Sequence, residues 1–331
     1  MVTIFTFIDL FAGIGGIRIA FENAGAKCLF SSEWDKNAQK TYYENFGEMP
    51  KGDITKIKNE GIPKHDILLA GFPCQSFSIA GKKRGFDDVR GTMFFEIARI
   101  IKYHRPKAVF LENVKGLVSH NKGETLKTIL KVLREDLEYY VPDPQILNAK
   151  DFGLAQNRER VFIVGFRKDI NGERFEYPKP LNIKTTIKDI IEKETVSVKY
   201  YLSTTYLDTL EKHKKRHQKK GNGFGYQIKD LDDIANTIVL GGMGKERNLI
   251  IDKRLKDFKP ITRIKGEVNR LGIRKMTPRE WARLQGFPET FKISVADTHA
   301  YNQFANSVAI PAVEKVAENI LKVLNEDMEE K

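Results

Sequence analysis

One apolar run in this chain stops so abruptly that it fixes what surrounds it. Ile67-Leu68-Leu69-Ala70 has the length and continuity of a strand buried on both faces, as in a parallel sheet. It runs straight into Gly71-Phe72-Pro73-Cys74-Gln75-Ser76-Phe77-Ser78. Gly71 tolerates dihedrals that other residues avoid, and Pro73 fixes φ and donates no ladder hydrogen bond, so the chain must leave the sheet here. Cys74 is thereby set at the carboxyl edge of the sheet, where open α/β folds bind ligands, a place suited to a nucleophile. A lone cysteine is also commonly a small buried hydrophobe, and this stretch leaves both readings open.

Upstream, the β-branched and aromatic residues 3–10 predict a strand that enters the turn Phe11-Ala12-Gly13-Ile14-Gly15-Gly16, followed by a helical pattern at Ile17, Ala20 and Phe21. The third glycine of the dinucleotide fingerprint is missing and no phosphate-loop lysine follows, so the turn suits a nucleoside without a pyrophosphate, or is a tight connection only. A strand over 27–32 ends in Glu33-Trp34-Asp35, which places Glu33 where such folds hold ribose hydroxyls; its alternative is a helix N-terminal charge. Asp53, in Gly52-Asp53-Ile54, could accept from an adenine amino group or cap its own turn.

After Cys74, residues 78–91 are polar, basic and punctuated by Gly81, Gly85 and Gly91. Ser78, Lys82, Arg84 and Arg90 there predict either a mobile loop that closes over a polyanion and keeps water from the thiol, or a solvated loop. A helix over 93–103 precedes a strand over 107–111 that ends in Glu112-Asn113-Val114, which puts Glu112 at the same edge as Cys74 as a candidate acid. A helix over 122–138 leads to strands near 145–149 and 161–166. Between them, Arg158 and Arg160 stand two apart on one face of an extended segment, able to bind a phosphate or base carbonyl or to pair with carboxylates.

The strand–helix rhythm breaks near 177–180, and basic residues crowd among glycines and aromatics over 199–275, which marks a second domain. Residues 212–220 predict a phosphate-facing surface entering a turn-rich β module, or a solvated charge run. Over the 331 residues Lys and Arg exceed Asp and Glu by 56 to 44, a formal charge of +12 that favours a polyanionic partner such as nucleic acid. An apolar content of 41% permits a full core. Cys28 and Cys74 match neither disulfide nor metal-ligand spacing, so no metal is expected and a reducing cytoplasm fits. No targeting segment or membrane-spanning run is read. Residues 278–288 read as a helix started by Pro278 and stopped by Gly286, and Val313, Val316, Ala317, Ile320, Leu321 and Leu324 predict a final helix packed back on the sheet.

In this order and spacing the motifs resemble the DNA cytosine-5 methyltransferases of bacterial restriction-modification systems. The resemblance covers the Phe11 to Gly16 loop, Glu33-Trp34-Asp35, the Cys74 segment, Glu112-Asn113-Val114, residues 156–160, 279–288 and 301–308; residues 199–275 match weakly. It implies an α/β fold, with a Rossmann-like S-adenosylmethionine-dependent methyltransferase sheet in 1–185 and a smaller, mainly β and loop DNA-recognition domain in 186–275. A hinge and bracing helix in 276–300 and a segment returning to the catalytic domain in 301–331 complete it. S-adenosylmethionine would sit against Phe11, stacked on adenine, with Gly13 and Gly15 near its methionine part; Glu33, Trp34, Asp53, Ile54 and Pro73 line the site, and Asn306 and Ser307 close it. Ala305 replaces the family's usual glycine, which is tolerable where φ is negative.

The resemblance further implies Cys74, Glu112, Arg158 and Arg160 as the catalytic set, and Ser78, Lys82, Arg84, Arg90, Thr237, Gly241 and Gly242 as DNA contacts. The partner would be double-stranded DNA, read by a monomer in the cytoplasm at the nucleoid, with a cognate restriction endonuclease acting on the same site without contact. Two rival readings are a tRNA cytosine-5 methyltransferase and a catalytically silent DNA-binding regulator.

Since the strand–helix rhythm is absent over 199–275, recognition and chemistry are expected to be separable. Exchanging 199–275 for the matching region of a relative of different specificity should transfer that relative's site while activity still depends on Cys74. An active chimera that methylates the original site would move recognition elsewhere, most directly into the loop after Cys74.

Overall fold

The computed structural model describes residues 4–73, 93–241 and 243–330; Cys74, Ser78, Lys82, Arg84, Arg90, Gly242 and the glycine-punctuated loop lie outside the described residues. Runs rich in β-branched and aromatic side chains form strands because such side chains pack well on a pleated surface, and the amphipathic stretches between them form helices. In chain order these are β1 (Thr6–Leu10), α1 (Gly16–Asn23), β2 (Lys27–Ser32), α2 (Lys36–Phe46), β3 (Ile67–Gly71), α3 (Met93–His104), β4 (Ala108–Val114), α4 (Glu124–Lys131), β5 (Tyr139–Tyr140), β6 (Gln145–Asn148), β7 (Gln156–Asn157) and β8 (Glu159–Arg167). The helix expected over 122–138 is shorter than read: α4 passes into a wider turn at Val132–Asp136.

One seven-stranded sheet has the order β2-β1-β3-β4-β8-β5, with β6 also pairing β8. Strands β1 to β4 are mutually parallel, whereas β8 runs antiparallel to β4, β5 and β6. With β2 on one side of β1 and β3 on the other, the strand order reverses at β1, and the crevice beyond the carboxyl ends there is where α/β sheets hold ligands. Alternation along the strands sends Phe7, Phe110 and Phe162 to one face. There Phe21 of α1 meets Phe7 and Phe110 at centroid distances of 5.8 and 5.4 Å, and Phe110 meets Phe162 at 5.7 Å. The intervening residues, among them Ile8, Leu10, Leu68, Val109, Leu111 and Ile163, pack with Phe94, Ile97 and Ile101 of α3 on the other face.

Two compact units divide the chain: Met1–Asn148 with Glu159–Pro180 and Ile310–Lys331, and Ala149–Arg158 with Leu181–Ala309. The first holds the sheet and the last helix, α9 (Ile310–Glu329), whose apolar face packs mainly along α1, where the sequence predicted the sheet itself. The second holds α5 (Ile187–Ile190), α6 (Thr204–Lys219), β9 (Ala235–Asn236), β10 (Ile250–Ile251), β11 (Ile273–Arg274), α7 (Pro278–Leu284) and α8 (Asp297–Asn306). Its strands are two residues long, β7 pairing β9 and β10 pairing β11. The basic run of 212–219 is the outer part of α6, a helix rather than an approach to strands. Ser203 caps it by accepting from the Tyr206 N–H at 3.2 Å, and Leu207 and Leu210 seat it against Leu202, Leu249 and Ile273. Among the described residues no helix is long and apolar enough to cross a membrane.

A buried ionic cluster holds the second unit around α7. Thr277 and Glu280 form a capping box, and the same Glu280 carboxylate accepts from Arg274 Nη1 and Nη2 at 2.8 and 2.7 Å, while Arg274 Nε donates to Asp252 at 2.9 Å. Arg274 and Glu280 are fully buried. Burial alone would raise the Asp252 carboxyl, but hydrogen bonds from Arg254 and the charge and hydrogen bond of Arg274 hold it well below the usual carboxylate range. A carboxyl so depressed contributes stability that is fully present above its ordinary value of about 4 and is lost as pH falls below it. Arg274→Met leaves the Glu280 carboxylate buried without its cation and Asp252 with Arg254 alone, and should cost about 3–5 kcal/mol at pH 7. Urea unfolding at pH 7 and near pH 3.5 checks this: the loss should shrink at the lower pH as Asp252, no longer held down by Arg274, protonates, and a loss independent of pH would assign the effect to packing.

Candidate active site

Four of the sheet's strands deliver their ends to one edge. At the end of β1 the chain turns sharply: Phe11 takes a left-handed φ of 57°, Gly13 56° and Gly15 84°. Such a value in a non-glycine residue costs about 1–3 kcal/mol and persists only where surrounding contacts hold it. Gly15 begins α1, and a Cβ there would lie 2.3 Å from Phe46 Cε2, whereas one on Gly13 would meet nothing within 4 Å. The loop is thus packed tightly behind and open in front.

Glu33, at the end of β2, ties this loop in place. One carboxylate oxygen accepts from the Gly13 N–H at 2.8 Å and the other from the Asp35 N–H at 2.7 Å. Burial raises the Glu33 carboxyl above its usual value, although the N–H groups of Asp35, Gly13 and Trp34 oppose the shift. Three N–H groups leave one of the carboxylate's four lone-pair positions open, so the group can still accept from a ligand hydroxyl. Trp34 is 70% exposed, a large aromatic face in water at a strand end. Asp53 does cap its own turn, accepting from the Thr55 N–H and Oγ1 at 3.0 and 2.8 Å. The Ile54 side chain lies within the core, with Phe11 packed against the same cluster.

At the end of β3, Gly71 stands opposite Glu112 of β4 in the sheet register, and Pro73, the residue before Cys74, is exposed. Glu112 forms an ion pair with Arg160 Nε at 3.1 Å, both side chains being largely buried. Because β8 is antiparallel, its first residues reach the same edge, with Arg160 opposite Val114. Burial lowers the Arg160 guanidinium from its usual value, and the Glu112 charge works against that. Asn113, which sequence reasoning passed over, donates from Nδ2 to the Phe72 carbonyl at 2.7 Å and pins the chain where it leaves β3. The signal was available: a buried asparagine between two strand-end residues has no other means of satisfying its amide.

Arg158 and Arg160 have different partners. Arg160 belongs to the first unit; Arg158, 2% exposed, belongs to the second, where its guanidinium donates to the carbonyls of Ile238, Ala305 and Ser307 at 3.2, 3.0 and 2.5 Å. Thr237 follows β9 and donates to the Asn157 carbonyl at 2.5 Å, and Gly241 has a left-handed φ of 66°. Asn306 ends α8 and Ser307 follows it; Ala305 lies inside that helix and is not among the residues of positive φ, so its methyl is accommodated.

Of the two cysteines, Cys28 is buried in β2 and its thiol is pushed up by burial to about 11. That leaves it inert as a thiolate at neutral pH. Among the described residues no group of three or more His, Cys, Asp and Glu side chains could hold a metal ion.

The family model of C-5 cytosine-specific DNA methylases matches residues 5–322. The chain is 65% identical over 322 residues to the Type II methyltransferase M.HpaII of Haemophilus parainfluenzae, covering 97% of this chain and 90% of that protein. It is 40% identical over 333 residues to M.HhaI of Haemophilus parahaemolyticus, covering 96% and 95%. In fold it is similar to the S. pombe Dnmt2 methyltransferase, with a TM-score of 0.73 at 19% identity over 98% of this chain and all of that one. A loop open in front of Gly13, a buried carboxylate at a strand end and an exposed tryptophan beside it fit the nucleoside of S-adenosylmethionine. The chain belongs to the C-5 cytosine-specific DNA methylase family, and is a DNA cytosine-5 methyltransferase of the Type II restriction-modification kind that uses S-adenosylmethionine.

Proposed function

We propose that Cys74 is the nucleophile, with Glu112 and Arg160 as the groups that receive the charge its attack creates. The observation that carries this reading is the strand-end register: Gly71, three residues before Cys74 in the sequence, stands opposite Glu112, and Glu112 pairs with Arg160 at 3.1 Å. The inertness of Cys28 leaves no second thiol for the role.

Cytosine C5 is a weak nucleophile. A thiolate adding to C6 forms an S–C6 bond and shifts the C5–C6 electron pair to C5, which becomes enamine-like. Negative charge spreads toward N3 and O2 as this happens. Glu112 shares a proton with N3, and Arg160 donates to O2; both interactions strengthen as charge develops. Bound S-adenosylmethionine supplies an electrophilic methyl group on a sulfonium. After C5 is methylated, its proton leaves to water and the S–C6 bond breaks, restoring the ring and the Cys74 thiolate. Attack at C6 comes from above the ring plane, which stacked neighbours block in a duplex, so the target base is flipped out.

Phe11, Gly13, Gly15, Glu33, Trp34 and Pro73 hold the cofactor in this reading, with Asp53 reaching it by its outer oxygen, Ile54 supporting Phe11 from the core, and Asn306 and Ser307 closing the site. Arg158 acts through the carbonyls it holds. Thr237, Gly241 and Gly242, with Ser78, Lys82, Arg84 and Arg90, contact the DNA. The protein works as a monomer in the cytoplasm, bound to the nucleoid, with a cognate endonuclease that shares its site and does not touch it.

DNA carrying 5-fluorocytosine should trap Cys74 in an adduct stable to denaturation when cofactor is present, since the C5 substituent cannot leave. Mass spectrometry of the adduct reads the attachment point; an adduct formed by Cys74→Ala would refute the assignment. Glu112→Gln should slow single-turnover methyl transfer by about a hundredfold or more with little change in DNA affinity. Equal losses in rate and affinity would make Glu112 structural.

A further inference from the structure

Arg158, Gln156 and Gln285 make a buried polar hub in the second unit, joining segments that no local backbone need brings together. Gln156 and Gln285 are fully buried, and Arg158 nearly so. Gln156 Oε1 accepts from the Ile238 N–H at 3.0 Å, while Arg158 Nη1 donates to the Ile238 carbonyl at 3.2 Å, so both backbone groups of residue 238 are taken. Gln156 Nε2 donates to the Leu284 carbonyl at 2.8 Å and to Gln285 Oε1 at 3.3 Å. Gln285 Nε2 in turn donates to the carbonyls of Phe304 and Ser307 at 2.7 and 3.2 Å. Arg158 Nη2 reaches Ala305 and Ser307.

The residues just beyond Ile238 face water, Val239 and Leu240 being 37% and 46% exposed. We propose that Arg158 is a positioning residue that couples the DNA-reading segment at 237–241 to the turn at 305–307, so that docking of the correct duplex sets the geometry of Asn306 and Ser307 toward the cofactor. This rests on the reading of the first segment as DNA-facing and the second as cofactor-facing. The physics is that of a planar, rigid donor fork. A shift of Ile238 that broke its bonds would leave a buried carbonyl or N–H unpaired, which is costly, so the hub moves as one body and the displacement passes to 305–307. A lysine keeps the charge but reaches one carbonyl at a time.

The test titrates S-adenosylhomocysteine into the full-length protein alone and with a short synthetic duplex carrying the site mapped by bisulfite sequencing of plasmid treated with the protein. A duplex with the flanking bases scrambled is the control. In the wild type the mapped duplex should tighten binding by about fivefold or more and the scrambled one should not. In Arg158→Lys that ratio should fall toward one, whatever the affinity in the absence of DNA. A merely structural arginine would lower the melting temperature or all affinities together and leave the ratio alone. If Arg158→Lys does not fold, Gln285→Met, which removes one of the two donors to Ser307, should lower the ratio in part. A wild-type ratio in either folded variant, or a wild-type ratio of one, overturns the coupling. Failure of the wild type to methylate the mapped duplex would instead overturn the reading beneath it.

Discussion

Parallel strands can pair only if each connection crosses back over the sheet, so their carboxyl ends gather on one edge. In this chain the constraint aligns the ends of β1, β2, β3 and β4, and with them Phe11, Glu33, Pro73 and Glu112, from four distant parts of the sequence. The antiparallel β8 then does what another parallel strand could not. It brings its amino-terminal residues to the same edge, so that Arg160, at a strand start, meets Glu112, near a strand end. An acid and its cation are therefore positioned by sheet register, which is stiff, and not by loop conformation.

The loop at the end of β1 is held differently, by one buried carboxylate. Phe11 and Gly13 sit in left-handed backbone, and what keeps them there is the Glu33 bond to the Gly13 N–H together with the packing of Phe46 behind Gly15. A second carboxyl lies just below: Asp9 of β1 is fully buried, and burial pushes it up to about 8 against the opposing charge of Arg18, with Glu33 adding to the rise. Two neighbouring carboxyls are tolerated because their surroundings divide the roles. Glu33 has three backbone N–H groups around it, whereas burial favours the neutral form of Asp9 and so lessens the negative charge beneath the loop.

Much of this was legible because strong periodicity and turn chemistry agree. The strand at 27–32 and the helix at 93–104 need no tertiary knowledge, since their apolar spacing is continuous and their ends are marked. The Glu33, Gly71 and Glu112 positions follow from strand ends for the same reason. The helical nature of 212–219 was not legible: only Leu210 of α6 is fully buried, so the periodic signal is faint beneath a run of lysines. Nor were the separate fates of Arg158 and Arg160. Alternation predicts a common face but not which groups each arginine meets, and the chain passes from one compact unit to the other between Arg158 and Glu159, each arginine taking partners in its own unit.

Why the second unit should depend on buried polar groups follows from how little regular structure it has. Two-residue strands contribute few ladder bonds and cannot specify a register by themselves. Backbone carbonyls at 238, 284, 304, 305 and 307 are instead fixed by three side chains, Gln156, Arg158 and Gln285, and α7 by the Arg274, Glu280 and Asp252 cluster. Bonds to carbonyls are indifferent to the side chains those residues carry. A frame made this way holds the chain's path whatever side chains Val239, Leu240 and their exposed neighbours carry, so that surface can change without the scaffold beneath it being rebuilt.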